Sequence, residues 1–305
     1  MSWATHELEN YFIQKHAKVR MSFLAVAFGA FLPDLLTKGF VYGYEFGDVK
    51  IGGGDPIQFH RGWPGAGFTH SILFGVVVAT AVLAITRSRG WALGLLVGHV
   101  AHVVTDVNDT AGTMLFFPFS LENISTGMWR HAAVLGRYGD AAAYYSSPGG
   151  IWDMCWLVVV LLFARQTLRA SYFREVVVPA DPRVWGWIHR TFHLPERGLL
   201  ALYRGLMFYG GCRIVAWTLY ARFQTDTPWD VSWGGPSFVE RVDLSPSSLG
   251  EAVWSVAVGA AGLVLLLLVA WKVLIRRLWD RGYDPPAVNV DSVLADDTRS
   301  AHAPR

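Results

Sequence analysis

Two histidines and an aspartate inside one apolar segment are the residues whose types and spacing first suggest chemistry. His99, His102 and Asp106 stand at positions i, i+3 and i+7 within the segment 91–108. At about 100° per residue, a helix would place all three within about 60° of one another on one face. His102 and Asp106 lie one helical turn apart, a spacing that suits two ligands of one metal ion. Polar residues at a membrane interface are the alternative explanation of this pattern.

The spacing of other His and Asp residues predicts that they reach the same depth. His70 and Asp106 each lie 18 residues from the midpoint of the turn 87–90, so antiparallel helices on either side would hold them level. An N-terminal helical hairpin would likewise bring His6 level with Asp34. The predicted metal ligands are His6, Asp34, His60, His70, His102 and Asp106, and the predicted catalytic residues among them are Asp34 and Asp106.

The chemistry of this ligand set indicates which cation it would hold. Imidazole nitrogens combined with carboxylate oxygens suit Zn²⁺, with Mn²⁺ or Fe²⁺ as alternatives. The two cysteines, Cys155 and Cys212, stand apart in apolar runs and cannot form a thiolate cluster. We therefore expect one or two divalent ions, with zinc as the first choice. Such an ion lowers the pKa of its bound water from about 15.7 to about 7, which supplies a nucleophile for hydrolysis.

The composition predicts that membrane helices position these residues. Hydrophobic residues make up 52% of the 305 positions and charged residues only 16%, with a mean hydropathy of +0.31, a balance too apolar for an ordinary soluble protein. Lys and Arg number 26 against 24 Asp and Glu, so no basic field favours nucleic acid as a partner. The candidate membrane spans are 68–86, 91–108, 151–164, 198–220 and 252–275.

The first segment of the chain is predicted to form the helical hairpin mentioned above. It would consist of a helix over residues 3–14, a basic turn at 16–20 and a return helix ending near Asp34. The fold class is therefore all-α, a polytopic membrane protein with about five to six membrane-embedded helical segments. Three regions follow: a hydrolase-like membrane domain, a C-terminal helical membrane region with an interfacial amphipathic helix at 181–193, and a disordered tail, with bounds 1–165, 166–281 and 282–305.

Basic residues predict the orientation of these segments in the membrane. Lys and Arg concentrate at 15–20, 87–89, 165–174 and 276–281. Connections rich in Lys and Arg stay in the cytoplasm of bacteria. The connections 37–67 and 109–150 would then lie outside. The candidate ligands are accordingly expected at the extracytoplasmic face of a bacterial inner membrane, in a multi-pass protein.

Five short motifs occur in order along the first half of the chain: Thr5-His6, Leu32-Pro33-Asp34, His60-Arg61-Gly62, Thr69-His70-Ser71 and His102-x3-Asp106. Over roughly residues 1–165, this ordered set resembles the YdjM-type family of bacterial inner-membrane proteins, described as membrane-bound metal-dependent hydrolases. The stretch 102–108 is also similar, more distantly, to the His-x3-Asp helix of zinc-dependent phospholipases C. Residues 63–68 separate two motifs that the family usually places almost side by side, so we rank His60 below His70 as a ligand.

The resemblance and the ligand set together predict an enzyme, a metal-dependent hydrolase. Activated water would attack a phosphoester or a lipid-type ester near the membrane surface, with Arg61, Arg130 and His131 binding the substrate. The expected partners are membrane lipids and a lipid-linked or phosphoester substrate. Two alternatives stay open at this point. One is an ion or proton-coupled transporter that uses the His/Asp cluster, including His99, as a relay, and the other is a membrane protein that binds metal without catalysis.

Overall fold

The computed structural model describes residues 3–35, 37–38, 44–46, 49–51, 60–62, 66–129, 135–233, 235 and 237–240, and a few single positions between 257 and 272. Several sequence predictions fall outside the described residues. These are the span 252–275 as a whole, the tail 282–305, and the substrate-binding candidates Arg130 and His131.

The described chain is mostly helical, as predicted. Among the described residues, eight α-helices of nine or more residues carry the fold: α1 (Trp3–His16), α2 (Phe23–Phe31), α3 (Ile72–Thr86), α4 (Arg89–Asp106), α5 (Gly136–Tyr145), α6 (Pro148–Thr167), α7 (Pro182–Phe192) and α8 (Glu196–Phe223). Short helical turns at Gly67–His70 and over Ala170–Tyr172, Phe173–Val177 and Val178–Ala180 complete them. Two antiparallel two-stranded ribbons, not foreseen from the sequence, pair β1 (Tyr44–Phe46) with β2 (Val49–Ile51) and β3 (Glu122–Ser125) with β4 (Ser237–Glu240).

Only part of the predicted membrane topology is visible in this fold. Within the described residues, α6 and α8 are long and apolar enough to cross a membrane, and α3 is apolar but shorter. The helix α4 forms where a span was predicted, but its two histidines and its aspartate reduce its hydropathy. The prediction of five to six membrane-embedded segments is therefore not confirmed as a count, although helices form at each predicted span that the structure describes.

Serine side chains fix where several helices begin. The hydroxyls of Ser22, Ser71, Ser88 and Ser147 each accept a hydrogen bond from a backbone N–H of the helix that follows. Such caps satisfy donors that have no partner within the helix and contribute about 1 kcal/mol each. At the other end of α3, Arg87 adopts a left-handed conformation with φ of 54°. The tight turn between α3 and α4 is thus determined locally.

The helix at the centre of the bundle is polar. In α1 the side chains of His6, Asn10 and Gln14 are buried, as the helix packs against α2, α4, α6 and α8. The outside of the bundle is apolar instead, with Ile85 80% and Leu162 73% exposed. The interior also contains an apolar core, to which Leu8 and Tyr11 of the same helix belong. Buried polar side chains combined with large exposed apolar ones agree with helices that pack within a membrane.

Close contact between α2 and α4 brings the candidate ligands together. A Cβ atom added at Gly98 would lie 2.0 Å from the Val26 carbonyl oxygen, and one added at Gly29 would lie 2.1 Å from that of Leu95. Only glycine permits this approach of the two backbones. The turn that follows α2 consequently reaches the C-terminal end of α4, where His102 and Asp106 lie.

The basic connections meet at one end of the bundle. The Ser22 amide donates to the Gly90 carbonyl at 3.3 Å, and Lys15 Nζ donates to Gln166 Oε1. A Cβ at Gly90 would lie 3.7 Å from the carbonyl oxygens of both Arg20 and Ala180. Because α3 begins just after His70 and α4 ends at Asp106, the His/Asp cluster lies at the opposite end.

Candidate metal centre

Five separate stretches of chain supply the side chains of the candidate centre. Asp34 lies in the turn after α2, His70 in the short helical turn before α3, and His102 and Asp106 in the last turns of α4. His60 lies in the connection between Asp34 and His70, and His6 lies in the first turns of α1. All six side chains are 0 or 1% exposed. The structure thus gathers every predicted metal ligand at one end of the bundle.

Four of these residues form a compact ligand group. Asp34, His70, His102 and Asp106 each offer one ligand atom, and the four atoms lie within 4.8 Å of one another. His102 Nε2 is 3.0 Å from Asp106 Oδ2 and 3.9 Å from Asp34 Oδ1. His70 Nε2 is 3.4 Å from Asp34 Oδ1 and 3.7 Å from Asp106 Oδ2. Two neutral nitrogens and two carboxylates thus enclose one small space.

His60 adds a third imidazole to this group. Its Nε2 lies 3.1 Å from Asp34 Oδ1, and its ring meets that of His70 edge to face with centroids 4.8 Å apart. By distance, His60 is as close to Asp34 as His70 is. The compact group of four nevertheless contains His70 and not His60, in agreement with the ranking of His60 below His70.

Hydrogen bonds orient the three imidazoles with Nε2 toward the centre. His60 Nδ1 lies 2.6 Å from Thr37 Oγ1, His70 Nδ1 lies 3.2 Å from Thr69 Oγ1, and His102 Nδ1 lies 2.5 Å from the Ala30 carbonyl oxygen. Both threonine hydroxyls donate their own hydrogen to the Pro33 carbonyl, at 3.4 and 2.9 Å, so each accepts from the imidazole. We therefore assign the proton to Nδ1 and the ligating lone pair to Nε2 in all three rings.

These bonds explain the short motifs of the sequence. In Thr69-His70-Ser71, the threonine orients the histidine, and the serine caps α3. In Leu32-Pro33-Asp34, the proline supplies the carbonyl that receives the threonine hydroxyls, and the aspartate enters the centre. Each of these two motifs therefore combines one candidate ligand with groups that position a ligand.

Arg61 lies inside the centre and pairs with two carboxylates. Its Nη2 donates to Asp106 Oδ2 at 2.5 Å and to Asp109 Oδ2 at 3.2 Å, while Nε and Nη1 have no hydrogen-bond partner among the described residues. Burial by itself would lower the pKa of Arg61, but these two carboxylates reverse the effect and raise it. Asp109 in turn accepts from the amides of Ala111 and Gly112, each at 2.9 Å. The guanidinium is thus a fixed positive charge beside the ligand group.

Asp34 remains ionised despite complete burial. Removal from water favours the neutral carboxylic acid. Lys38 Nζ, which lies 3.6 Å from Asp34 Oδ2, opposes this effect, and the pKa of Asp34 is held well below its ordinary value. An ionised carboxylate is the form that binds a cation or accepts a proton.

His99 does not join the ligand group. Its Nε2 lies 2.9 Å from the Ser71 carbonyl oxygen, and its ring lies where a side chain at Gly75 would otherwise be. His99 and His102 both belong to α4, but their rings contact different neighbours. His99 joins α3 to α4, and His102 points to Asp34 and Asp106.

Sequence reasoning assigned no positioning role to several residues of the centre. Asp109, Thr37 and Thr69 hold Arg61, His60 and His70, and their only sequence signal is proximity to a candidate ligand. Glu9 is one helical turn after His6, and its Oε2 lies 3.6 Å from His6 Nδ1. Acidic residues at i+3 from a histidine are common, so this spacing alone could not have identified it.

Comparison with known proteins assigns a family to more than half of this chain. A family model described as YdjM inner membrane protein matches residues 5–172. No curated protein matches, and no solved structure matches. The matched region begins just before His6 and includes every residue of the centre described above.

Proposed function

Because the chain belongs to the YdjM inner membrane protein family, we propose that it is a membrane-bound hydrolase that uses a divalent metal ion. The ion would bind Asp34, His70, His102 and Asp106, with His60 as a further ligand. The observation that carries this proposal is that the buried Nε2 atoms of His70 and His102 have no hydrogen-bond partner among the described residues, while their Nδ1 atoms are engaged.

The donor set and its spacing fit a transition-metal ion. Two ligands about 2.1 Å from a tetrahedral ion lie about 3.4 Å apart, and the nitrogen–oxygen distances here run from 3.0 to 3.9 Å. Leaving a buried nitrogen unsatisfied costs about 1 to 3 kcal/mol, which a bound ion would relieve. Zinc is the first choice for imidazole and carboxylate ligands, followed by manganese and iron.

A hydrolytic step assigns a role to each group around the ion. When bound, a divalent ion lowers the pKa of its water to about 7, so a nucleophile is available at neutral pH. Asp34 or Asp106 would accept the proton that the attacking water loses. Arg61 binds the negatively charged oxygens of the substrate through Nε and Nη1, because charge-assisted bonds to a guanidinium are strong and directional. The expected substrate is a phosphoester or a lipid-type ester.

The position of the centre supports a substrate that comes from the membrane. The basic connections lie at the end of the bundle opposite the centre, and such connections remain cytoplasmic. We therefore propose that the centre faces the extracytoplasmic side of the inner membrane, close to the lipid surface. Membrane lipids or lipid-linked phosphoesters could then reach it without crossing the bilayer.

Metal analysis followed by a turnover screen tests this function. Full-length protein purified in detergent, after growth with zinc and manganese supplied, is expected to contain at least one ion per chain by plasma mass spectrometry. Asp34→Ala and His102→Ala are expected to lose it. Chromogenic phosphodiesters, phosphomonoesters and carboxylesters then identify the bond cleaved. Wild-type protein free of metal, or metal-loaded protein that cleaves none of these esters, would refute the hydrolase.

The same preparation distinguishes the two alternatives. A transporter built on a His/Asp relay requires ion or proton flux across proteoliposomes. In this fold His99 Nε2 contacts the Ser71 carbonyl oxygen, whereas His102 Nε2 faces Asp106 and Asp34. A protein that binds metal only for its structure would melt at a lower temperature without the ion and would hydrolyse no ester.

A further inference from the structure

The central helix α1 carries a row of buried polar side chains that the metal centre leaves unexplained. His6, Asn10 and Gln14 are 0%, 0% and 6% exposed. Both ring nitrogens of His6, and both amide atoms of Asn10 and of Gln14, have no hydrogen-bond partner among the described residues. One buried atom of this kind can be an isolated exception, but two on each of three side chains of the same helix require a shared explanation. Ordered water is the usual one.

The spacing of His6, Asn10 and Gln14 suits bridging by water. The three residues stand at i, i+4 and i+8 of α1, so they share one helix face and follow one another at steps of about 6 Å along the axis. A water that makes hydrogen bonds of about 2.8 Å to two groups joins groups about 5.6 Å apart. Because an amide side chain both donates and accepts, Asn10 and Gln14 can each bond a water on either side. One water therefore fits between each pair of neighbours.

The row begins at the metal centre and ends at a cavity. At one end, the rings of His6 and His102 stack with centroids 3.9 Å apart. At the other end, Gln14 lines a cavity of about 90 Å³ together with the exposed residues Lys18 and Arg20, a volume that holds several waters. These basic residues belong to the turn after α1, at the basic end of the bundle. Gln14 lies about 12 Å along the helix from His6, so the row covers the distance between the centre and the cavity.

The opposite face of α1 is apolar. Leu8 and Tyr11 belong to the hydrophobic core, and the Phe12 ring meets the Trp156 ring edge to face with centroids 5.4 Å apart. Water along α1 is therefore confined to the face of the row. Polar side chains enclosed within a membrane protein commonly mark a path for water, ions or protons, and neutral amides suit water and protons better than a metal ion.

We propose that a chain of ordered waters along His6, Asn10 and Gln14 connects the metal centre with the basic end of the bundle and carries protons between them. Hydrogen-bonded waters pass a proton from one to the next without movement of a charged side chain. Hydrolysis of an ester to its ionised product releases one proton, and the row gives that proton an exit to the cytoplasmic end. This role in hydrolysis rests on the proposed function, whereas the water path depends only on the residues of α1 and requires no metal ion.

Exchange of a thiol proton within the row tests this path without metal or substrate. The background is full-length protein in detergent with Cys155→Ala and Cys212→Ala, which removes both native thiols, each of them exposed. Asn10→Cys then places one S–H group in the middle of the row, and infrared spectroscopy follows its conversion to S–D after transfer to D₂O. Leu8→Cys is the matched control, because Leu8 is also 0% exposed but lies on the apolar face. A dry buried group exchanges only when the protein opens, so the control should exchange at least about 100-fold more slowly than Asn10→Cys.

A second substitution shows whether the water enters from the basic end. Gln14→Leu removes the amide beside the cavity and keeps a similar volume, so it should slow the exchange of Asn10→Cys by at least about tenfold. Gln224→Leu, at an exposed position after α8, should leave the rate unchanged. Equal rates for Asn10→Cys and Leu8→Cys would overturn the water path, and a rate that Gln14→Leu does not change would overturn its connection to the basic end.

The melting temperature of Asn10→Leu provides a separate measurement if a cysteine variant does not fold. Leucine has nearly the shape of asparagine but bonds no water. In a hydrated row, this change leaves His6 and Gln14 without their bridging waters and should lower the melting temperature. In a dry row, it replaces an unsatisfied amide by an apolar group, which is neutral or stabilising, so an unchanged or higher melting temperature would overturn the water path. Fast exchange in metal-free Asn10→Cys would support the path even if the hydrolase is refuted.

Discussion

The substitution Thr69→Val tests whether the hydrogen bonds behind the histidines tune the metal centre. Thr69 Oγ1 donates to the Pro33 and Ala66 carbonyls at 2.9 and 2.8 Å and accepts from His70 Nδ1 at 3.2 Å. Valine has nearly the same shape as threonine but can make none of these bonds. His70 would keep its position with an unsatisfied Nδ1–H, which costs about 1 to 3 kcal/mol.

The expected result is a weaker metal site in a protein that still folds. Loss of a partner that orients a metal-bound histidine lowers metal affinity by about 10- to 100-fold, which corresponds to about 1.4 to 2.8 kcal/mol at about 1.4 kcal/mol per tenfold change. A titration of zinc against a competing chelator, with full-length protein in detergent, measures the dissociation constant directly. Because only the orientation of His70 changes, the number of ions bound at saturation should remain the same.

A matched control separates this effect from the loss of any threonine hydroxyl. Thr80 is exposed on α3, and its Oγ1 donates to the Val76 carbonyl within the same helix at 2.7 Å. Thr80→Val is expected to bind zinc as wild type does. A dissociation constant for Thr69→Val within twofold of wild type would refute the assignment of the Nδ1 proton and the role of Thr69 derived from it.

Three further predictions follow from the packing and charge of the centre. Gly98→Ala is expected to lower both the melting temperature and the metal content, because its Cβ would lie 2.0 Å from the Val26 carbonyl oxygen. Gly205→Ala is the control, since its Cβ would meet nothing within 4 Å. Equal metal content in the two variants would contradict the role of the contact between Gly98 and Val26. Arg61→Lys is expected to keep its metal but to bind inorganic phosphate about tenfold more weakly by calorimetry. The reason is that one ammonium group cannot replace a guanidinium that also pairs with carboxylates. An unchanged phosphate affinity would count against anion binding by Arg61. Removal of the metal by a chelator is expected to lower the melting temperature, because an ion at about 100 times its dissociation constant adds about 2.7 kcal/mol to the free energy of unfolding. Calorimetric scans that coincide with and without chelator would contradict a metal site in the folded protein.

Local features of this protein could be read from the sequence because they depend on neighbouring residues. The His102-x3-Asp106 pair lies on one helix face, and a turn 87–90 between two apolar segments implies an antiparallel pair. The positions of His70 and Asp106 at one level follow from the same count. The helices α3, α4, α6 and α8 form where apolar runs predicted them, since backbone groups in such runs are best satisfied within a helix.

Contacts between segments distant in sequence decided which partners the side chains meet, and residue spacing could not predict these partners. His99 and His102 share a face, yet only the approach of α3 determines that His99 meets the Ser71 carbonyl. Arg61 was assigned to the substrate, and its pairing with Asp106 and Asp109 depends on how a long connection folds back. The number of membrane crossings also depends on more than hydropathy, because polar residues such as those of α1 are tolerated where other helices enclose them.

The sequence by itself determined the types of the candidate ligands, their order and the end of the bundle to which they belong, because helical periodicity and apolar length are local properties. Only the tertiary structure decided which nitrogen of each histidine points inward and which oxygen of Asp106 faces His6. Those choices depend on hydrogen bonds between segments far apart in the chain, such as His102 with Ala30 and Thr69 with Pro33. A hydrogen bond is specific to within a few tenths of an ångström, a precision that residue spacing alone cannot supply.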